Sequence, residues 1–392
     1  MQSIELPTTV SGNQFRLVAH GTATPEGLLN RSPNGQWLTL TGYDADVGVS
    51  GLSSSASAAV GRVVGRIDAT GAIDTSTRLS DWTSGSSPRS AITTDGNRFL
   101  LAGGAGGIHE ADLGDLTSMV YNSQVAGLRH IDRFGGELYI STGTAVASSA
   151  IAQINQTTGA PMYLPGVPAP GTGATGINAF QFFIADLSAV EAGPDTLYVA
   201  DDRSAANGGG LRKYSRVSGT WVANGGVFGT QPAGSPGVSS LRGLTGSVSG
   251  STVSLYATRF GTSLIGFTDA TGHNGAFSGV ATLLADAPSN TLFKGVDFVP
   301  VSAGPGGIPG DFNNDTVVDG DDLAQWREDF GMNDDSDADN DGDSDGNDFL
   351  IWQRNLGEGG GATPTAGAIP EPSGVILLGV AAASTLRRRR HS

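Results

Sequence analysis

Leu128-Arg-His-Ile, followed by Gly135-Gly-Glu-Leu138-Tyr-Ile, is the stretch of this sequence that decides its fold. A short apolar segment precedes a tight glycine turn, and apolar and polar residues alternate after the turn. Alternation with a period of two is typical of a half-buried β-strand, and glycine-containing turns connect such strands. The stretch therefore predicts a short strand followed by a longer one.

The same order of elements recurs along residues 1–302. The longer strand is predicted in four further stretches: Pro33-Asn-Gly-Gln-Trp37-Leu-Thr-Leu, Asp95-Gly-Asn-Arg-Phe99-Leu-Leu, Pro194-Asp-Thr-Leu197-Tyr-Val and Ser251-Thr-Val253-Ser-Leu255-Tyr. Short strands precede such stretches, and hairpins follow them, as in residues 211–223. Repeats of roughly 40–60 residues with four strands each are typical of a β-propeller.

Five such units run from about residue 26 to residue 285. The segment 293–300 is expected to join two N-terminal segments, residues 4–9 and 15–21, in a sixth unit that closes the ring. We therefore predict a mainly β fold in which a six-bladed propeller is preferred, with five or seven blades as alternatives. An irregular β-sandwich is the other fold that the alternation allows.

Acidic side chains are concentrated in one part of the chain. Residues 311–350 contain fifteen Asp and Glu residues and one Arg, within a chain whose net charge is −16. No basic stripe is present to neutralise phosphates, which excludes nucleic acid as a partner. The sequence has no cysteine, so disulfides and thiolate chemistry are excluded, and a bound cation is left to stabilise a small acidic unit.

Basic residues occupy the short first strand of several units, which in a propeller lines the central channel. These candidate ligand-binding residues are Arg89, Arg129, Arg242 and Lys294. A ring of cations in a channel attracts an anion such as a carboxylate sugar or a phosphate. The alternative is that each cation pairs with carbonyls or carboxylates of a neighbouring blade.

Carboxylates follow two of the longer strands. Asp44, Asp201 and Asp202 lie in loops that reach the face on which propellers commonly bind ligands, where they could hold a metal ion or sugar hydroxyls. Turn chemistry, in which an Asp side chain bonds to its own loop, is the alternative. We find no HExxH and no phosphate-cradling glycine loop, and we assign no catalytic residue.

Two twelve-residue segments share one pattern of oxygen-bearing side chains, 26 residues apart. Positions 1, 3, 5, 9 and 12 offer side-chain oxygens and position 7 a backbone carbonyl, which is the spacing of a loop that wraps a hard cation. The ligands expected from the first loop are Asp311, Asn313, Asp315, Val317, Asp319 and Asp322, and those from the second are Asp337, Asp339, Asp341, Asp343, Asp345 and Asp348.

Each loop leads into a short amphipathic helix, and Trp326 and Gly331 in the first copy match Trp352 and Gly357 in the second. This duplicate resembles the type I dockerin repeat over residues 311–357. The resemblance implies two bound Ca²⁺ ions and a cohesin-like partner. Residues 320–321 and 346–347 depart from the family's docking positions, so a calcium-stabilised spacer is an equal alternative.

The two loops differ at position 6, where Thr316 in the first copy replaces Gly342 in the second. A calcium loop turns sharply at this position, and a β-branched residue is strained there by about 1–3 kcal/mol. We therefore expect the second loop to bind calcium more tightly.

The last segment, residues 369–392, has three parts. Pro370, Glu371 and Pro372 precede thirteen mostly apolar residues, which are followed by Arg387, Arg388, Arg389 and Arg390. This order resembles the PEP-CTERM sorting signal, which implies transient recognition and removal by an exosortase-type membrane protease. The apolar run, expected as a tail helix of about 20 Å, is shorter than the roughly 30 Å bilayer core.

Export follows from that resemblance, and contact with a membrane is expected only through the tail before processing. The first residues lack a basic and apolar leader, so we expect a signal upstream of this sequence. The expected order is a propeller (1–302), a linker (303–310), the calcium unit (311–357), a flexible linker (358–368) and the sorting tail (369–392).

The predicted function is that of an exported cell-surface or extracellular-matrix protein. Its propeller is expected to bind a ligand without catalysis, with an anionic polysaccharide as the favoured class. The alternative is a propeller-fold polysaccharide lyase or glycoside hydrolase that uses the same carboxylates and channel cations.

Overall fold

The structure is a computed structural model that describes residues 3–21, 25–229, 236–301, 308–313, 317–333, 335–339 and 343–358. The chain divides into two compact units, Met1–Ser302 and Ala303–Ser392, here called the β unit and the helical unit. The predicted sorting tail and residues 359–368 of the predicted linker lie outside the described residues.

The β unit contains five sheets, each of four antiparallel strands that pair in sequence order. The first two sheets consist of β1 (Asn30–Arg31), β2 (Leu38–Tyr43), β3 (Arg62–Ile67) and β4 (Ile73–Leu79), and of β5 (Pro88–Thr93), β6 (Arg98–Gly103), β7 (Ile108–Asp112) and β8 (Met119–Asn122). The third consists of β9 (Leu128–Phe134), β10 (Glu137–Thr142), β11 (Ile151–Ile154) and β12 (Pro161–Tyr163).

The fourth sheet consists of β13 (Ala179–Ala185), β14 (Thr196–Asp201), β15 (Gly210–Val217) and β16 (Thr220–Phe228), and the fifth of β17 (Leu241–Ser249), β18 (Thr252–Arg259), β19 (Ser263–Asp269) and β20 (Thr282–Asp286). The first strands of neighbouring sheets contact each other, and buried apolar clusters lie between consecutive sheets. The β unit is therefore a β-propeller, and its five sheets are the blades.

The preferred count of six blades is wrong, and the alternative of five is the observed one. The three segments expected to form a sixth blade do not form a sheet with one another, and the two N-terminal ones meet in one bond, from the Leu17 N–H to the Pro7 carbonyl at 2.8 Å. Val18 forms a single bridge with Tyr43, and Leu17 packs in the apolar cluster of the first blade. Residues 293–300 form no named strand, although their alternation is strand-like.

Side-chain bonds hold residues 293–300 between the first and last blades. The Asp297 carboxylate accepts hydrogen bonds from the Arg31 backbone N–H (2.6 Å) and from the Thr245 hydroxyl (2.8 Å). The Val301 N–H bonds to the Gly35 carbonyl at 2.9 Å. Residues 293–301 therefore join the first and last blades through side-chain bonds and isolated backbone hydrogen bonds, and not through a strand-to-strand hydrogen-bond ladder.

Polar side chains from the inner strands meet on the axis. The Asn30 amide nitrogen of the first blade lies 2.9 Å from Ser90 Oγ, 2.7 Å from the Ala91 carbonyl and 2.8 Å from the Ile131 carbonyl, so its two N–H groups are shared among three acceptors. Its oxygen lies 2.6 Å from His130 Nε2. These residues, together with Gln181, form a layer that we call the axial plug.

Gln181 completes the axial plug from the fourth blade. Its amide donates to the Leu29 carbonyl at 2.8 Å, and its oxygen accepts from the Leu244 N–H at 3.2 Å. Burial lowers the pKa of His130 to about 3, so its ring is neutral. The axial plug therefore links all five blades with uncharged groups.

The helical unit contains the two predicted helices, α1 (Gly320–Asp329) and α2 (Gly346–Asn355). Each begins with a capping box in which an Asp side chain and an Asp three residues later satisfy the first free N–H groups. Gly331 and Gly357 follow the helices with φ of 67° and 94°, the left-handed conformation that glycine adopts without strain. Trp326 packs on Phe349 with ring centroids 5.2 Å apart.

We predict that Asn30→Ala destabilises the β unit by about 3 kcal/mol or more. The change removes the donor shared by three acceptors and leaves buried polar groups without partners, each at a cost of about 1–3 kcal/mol. Urea unfolding at pH 7 measures the loss. The matched control Asn13→Ala, at an exposed residue, should change the free energy of unfolding by less than about 0.5 kcal/mol. Equal stability of both variants would contradict a structural role for the axial plug.

Candidate functional site

The predicted channel cations lie at one end of the inner strands. Register shifts in β5, β9 and β17 fall at Arg89, Arg129 and Arg242, and the shift in β13 falls at Phe180. A β-bulge re-aims a side chain that would otherwise follow the pleat. The same irregularity in four blades therefore directs three guanidinium groups and one aromatic ring to one end of the axis.

Arg129 lies beside Phe180, with the guanidinium carbon 4.4 Å from the ring centroid. Its Nε is buried without a hydrogen-bond partner, and no acceptor among the described residues bonds to its other nitrogens. Burial, followed by the charge of Arg89, lowers its pKa to about 10, with a further contribution from Arg242. Arg129 is thus a half-buried cation whose charge no direct ion pair balances among the described residues.

The other cations have protein partners. Arg89 donates from Nη1 to the Leu128 carbonyl of the next blade at 2.6 Å. Arg242 donates from Nε to Asp202 Oδ1 at 2.9 Å. These two contacts match the alternative of pairing across blades, whereas Arg129 has no such contact among the described residues.

Lys294 belongs to the same group of charges. Burial lowers its pKa, the nearby carboxylate of Glu26 opposes that shift, and the charge of Arg242 adds to it. We call the set formed by Arg89, Arg129, Phe180, Arg242 and Lys294 the cationic mouth.

Two carboxylates accompany the cationic mouth. Glu26 is buried and accepts hydrogen bonds from the Tyr43 hydroxyl (3.0 Å) and the Ser87 hydroxyl (3.2 Å). Burial raises the pKa of Asp202, although Arg242 and Arg129 oppose the shift. Four cations therefore face two carboxylates, which leaves a surplus of positive charge at this end of the axis.

The three predicted acidic candidates do not form one site. Asp44 of the first blade accepts from Arg16 at 2.8 Å and from Arg78 at 2.7 Å. Asp201 of the fourth blade is fully buried and pairs with Arg203 and Arg212, each at 2.8 Å. Of these three carboxylates, only Asp202 lies beside the cationic mouth, where it pairs with Arg242. The carboxylates of Asp44 and Asp201 are occupied in ion pairs within their own blades.

A second pair of carboxylates, absent from the sequence prediction, lies toward the other end of the inner strands. Burial raises the pKa of both Asp132 and Asp297, and the charge of Asp297 raises the pKa of Asp132 further. They line a cavity of about 150 Å³ together with Arg31, Phe183 and Thr245. Because the two residues are far apart in sequence, no spacing pattern could have indicated the pair.

The second predicted metal loop brings carboxylate oxygens together. Those of Asp337, Asp339 and Asp348 lie within 4.8 Å of one another, as do those of Asp343, Asp345 and Asp348. The Asp343 carboxylate joins this group, although the sequence predicted a ligand role for its backbone carbonyl. An all-oxygen set of this kind suits a hard cation such as Ca²⁺. Asp341 lies outside the described residues.

Asp322 and Asp348 hold their loops in shape. Asp348 accepts from the backbone N–H groups of Ala338 (2.6 Å) and Asp345 (2.6 Å). Asp322 accepts in the same way from Asn313 (3.1 Å) and Asp319 (2.7 Å). Asp311 and Val317 are described as well, whereas Asp315 and Thr316 are not.

The two loop–helix copies are bonded to each other reciprocally. Trp326 Nε1 donates to the Asp345 carbonyl at 2.8 Å, and Trp352 Nε1 donates to the Asp319 carbonyl at 2.7 Å. The Gly331 N–H donates to the Ser344 carbonyl, and the Gly357 N–H to the Val318 carbonyl. Each helix therefore fixes two carbonyls of the other loop.

Fold and site together define a five-bladed β-propeller with a cationic mouth, joined to a duplicated loop–helix unit. No family model and no curated protein matches the sequence. Among the described residues, no helix has the length and apolar character needed to cross a membrane.

Similar chain paths occur in solved structures. A periplasmic gluconolactonase from Pseudomonas aeruginosa is 14% identical over 67% of this chain and 71% of its own, with a TM-score of 0.41. An auxiliary nutrient binding protein from Bacteroides thetaiotaomicron is 13% identical over 73% and 64%, with a TM-score of 0.45. Hydrazine synthase from Kuenenia stuttgartiensis is 13% identical over 69% of each chain, with a TM-score of 0.43. The fold assignment rests on the strand pairing described above.

We predict that Asp132→Asn stabilises the β unit at pH 7. A carboxyl whose pKa is raised on folding costs stability once it ionises, and the cost vanishes below the ordinary aspartate pKa. Burial holds the pKa of Asp132 well above its ordinary value, so we expect a gain in stability at pH 7 and none near pH 3. Urea unfolding at both pH values measures this. Asp46→Asn, at an exposed carboxylate, is the control, and a variant no more stable than wild type at pH 7 would refute the prediction.

We predict that Trp352→Phe weakens the N-terminal turn of α1, which belongs to the other copy. The ring is kept, but the Asp319 carbonyl loses its donor, at a cost of about 1 kcal/mol. Hydrogen exchange of the first α1 amides should speed up several-fold. Trp37→Phe in the β unit is the control and should leave those amides unchanged. Unchanged exchange rates in Trp352→Phe would show that the bond from Trp352 to the Asp319 carbonyl does not stabilise the first turn of α1.

Proposed function

We propose that the propeller is a non-catalytic binding platform for an anionic ligand, with an acidic polysaccharide as the favoured class. The observation that carries the proposal is Arg129, a half-buried guanidinium that stacks on Phe180 and has no acceptor among the described residues. Retaining such a cation costs free energy unless an anion balances it. A bound carboxylate supplies that balance through charge-assisted hydrogen bonds.

The arrangement of carboxylates supports binding over hydrolysis or lyase chemistry. Glycoside hydrolysis requires two carboxyl groups on either side of the bond that is cleaved. Asp44 and Asp201 are each held by two arginines, and Asp202 pairs with Arg242. In these positions they serve as ion-pair partners, so the enzyme alternative has no pair of reacting groups among the predicted carboxylates.

For the helical unit we propose that it binds two Ca²⁺ ions, one in each loop. The carboxylate clusters around Asp348 support the second site, and the matching bonds made by Asp322 support the first. When bound, calcium would neutralise clustered carboxylates and cross-link loop and helix. The unit then serves either as a docking module for a cohesin-like partner or as a spacer.

We further propose that the protein is exported and reaches the bacterial cell envelope or the extracellular space. The proposal rests on the tail sequence, from Pro370-Glu-Pro to the arginines 387–390, and on its resemblance to a sorting signal. An exosortase-type protease would be a transient partner. After removal of the tail, the mature protein would retain the propeller and the helical unit.

The binding proposal predicts that Arg129→Ala abolishes retention on an acidic polysaccharide. Affinity electrophoresis through gels containing polygalacturonate measures retention, with neutral dextran gels as the reference. Arg98→Ala removes an arginine of equal charge that is 59% exposed on the second blade, and it should retain wild-type mobility shifts. Loss of retention in both variants would indicate nonspecific charge attraction, and retention of both would remove Arg129 from the site.

The calcium proposal predicts two binding events by titration calorimetry, with the second loop the tighter. Asp348→Asn should abolish the tighter event because it changes a buried carboxylate shared by both clusters. Asp335→Asn, at an exposed residue outside both ligand sets, should leave both events intact. Two equal sites would contradict the expected weakness of the loop with Thr316, and no heat of binding would overturn the calcium function.

A further inference from the structure

We propose that the cationic mouth is a site closed at its inner end that binds one carboxylate group. This carboxylate belongs either to a free acidic sugar or to the terminal unit of an acidic chain, which we call end-on binding. This inference rests on the proposed function, and it names the class of ligand and the direction from which the ligand enters. Threading of a continuous polymer along the axis is excluded, because the axis is closed one residue below the mouth.

The floor of the site follows from the register of the inner strands. Three of the five mouth residues are followed directly by a residue of the axial plug: Arg89 by Ser90, Arg129 by His130, and Phe180 by Gln181. Ser90, His130 and Gln181 belong to the axial plug and are at most 1% exposed. Because successive residues of a strand rise about 3.3 Å, the plug lies directly beneath the cations.

The axial plug is tightly bonded and carries no charge. Asn30 alone makes bonds of 2.6–2.9 Å to the second and third blades, and Gln181 reaches the first and fifth. Opening a channel here would break several buried hydrogen bonds at once, at about 1–3 kcal/mol each. A polymer therefore cannot thread along the axis, and a ligand reaches Arg129 only from the open side.

The chemistry at the mouth favours a planar carboxylate. Phe180 lies against the guanidinium of Arg129, with Arg242 5.9 Å from the same ring, so the plane of the Arg129 fork is fixed before a ligand arrives. A fixed guanidinium edge matches the two oxygens of a carboxylate in a bidentate pair. Arg242 and Lys294 add positive charge. Neither offers the ligand a second guanidinium edge, because Nε of Arg242 donates to Asp202 and a lysine has no guanidinium group.

A recessed mouth over a closed floor admits a terminal group. Arg242 keeps 14% of its side chain exposed beside a carboxylate partner that is 12% exposed, so the rim is accessible, whereas Phe180 at the base is 2% exposed. An internal polymer unit can bring its carboxylate to Arg129 only if both neighbouring units also fit across the mouth. A single acidic sugar or a chain terminus meets no such constraint.

The test is calorimetric titration of the full chain with three probes: galacturonate, galactose and inorganic phosphate. We expect galacturonate to saturate one site and galactose to give no binding, because the carboxylate is the recognised group. A guanidinium fork also pairs with phosphate, so phosphate is the competing probe. It should bind at least about tenfold more weakly, a difference of about 1.4 kcal/mol, because a doubly charged anion costs more to desolvate in a recessed site. Phosphate binding as tight as galacturonate would overturn the assignment to a carboxylate.

Polymer length tests the end-on geometry. Polygalacturonate is titrated before and after partial acid hydrolysis at constant mass of uronate. End-on binding predicts that the number of sites per gram rises in proportion to the number of chain ends. If the intact polymer binds along its length and galacturonate does not bind, the end-on inference fails while the proposed anion platform stands. If neither monomer nor polymer binds, the proposed function fails too.

Two variants distinguish bidentate recognition by the guanidinium group of Arg129 from attraction by its positive charge alone. Arg129→Lys keeps the cation but not the planar fork, and it should weaken galacturonate binding about tenfold or more. Arg98→Lys on the exposed side of the second blade is the control and should bind as the wild type does. The thermal shift produced by galacturonate provides a second readout on the same samples. Wild-type affinity in Arg129→Lys, with the folded state confirmed by circular dichroism, would overturn the bidentate contact.

Discussion

The β unit depends on a buried amide at its axis. Asn30 extends from the first blade to bond with the second and third, and Gln181 reaches from the fourth to the first and fifth. An unpaired polar group buried this deeply costs about 1–3 kcal/mol, so the hydrogen bonds made by the amides of Asn30 and Gln181 stabilise the ring. Apolar packing between blades is non-directional, whereas these bonds form only when all five blades are in register. The axial plug thus specifies the closed ring, and it also makes the floor beneath the cations.

Strand periodicity was enough to predict the architecture but not the number of blades. The stretch from Leu138 and its counterparts became the second strands because alternation indicates a half-buried strand regardless of its partner. Residues 293–300 have the same alternation, and they bond through Asp297 and single backbone contacts. Alternation does not encode a partner, so a segment that closes a ring by side-chain bonds looks the same in sequence as one that adds a blade.

Part of the cationic mouth could be predicted from the sequence because the blades are repeats of one unit. Arg89, Arg129 and Arg242 were identified because they share one position in a repeat, and the repeat also shares a bulge. Asp44 and Asp201 do not share a repeated position of this kind. Whether Asp44 and Asp201 are free depends on Arg78 and Arg212, which arrive from other strands of the same blade. The pair Asp132 and Asp297 has no repeat relation at all and becomes visible only when the ring is closed.

The helical unit shows what an internal duplication can determine. Identical spacing in the two copies predicts identical helices, and two identical surfaces that meet do so about a two-fold relation. Reciprocal bonds from Trp326 to Asp345 and from Trp352 to Asp319 are the consequence. Each indole bonds the carbonyl of an N-cap residue that also belongs to a predicted metal loop. The geometry of either loop is therefore set partly by the other copy, and in the proposed calcium function the affinity of one site is a property of the pair.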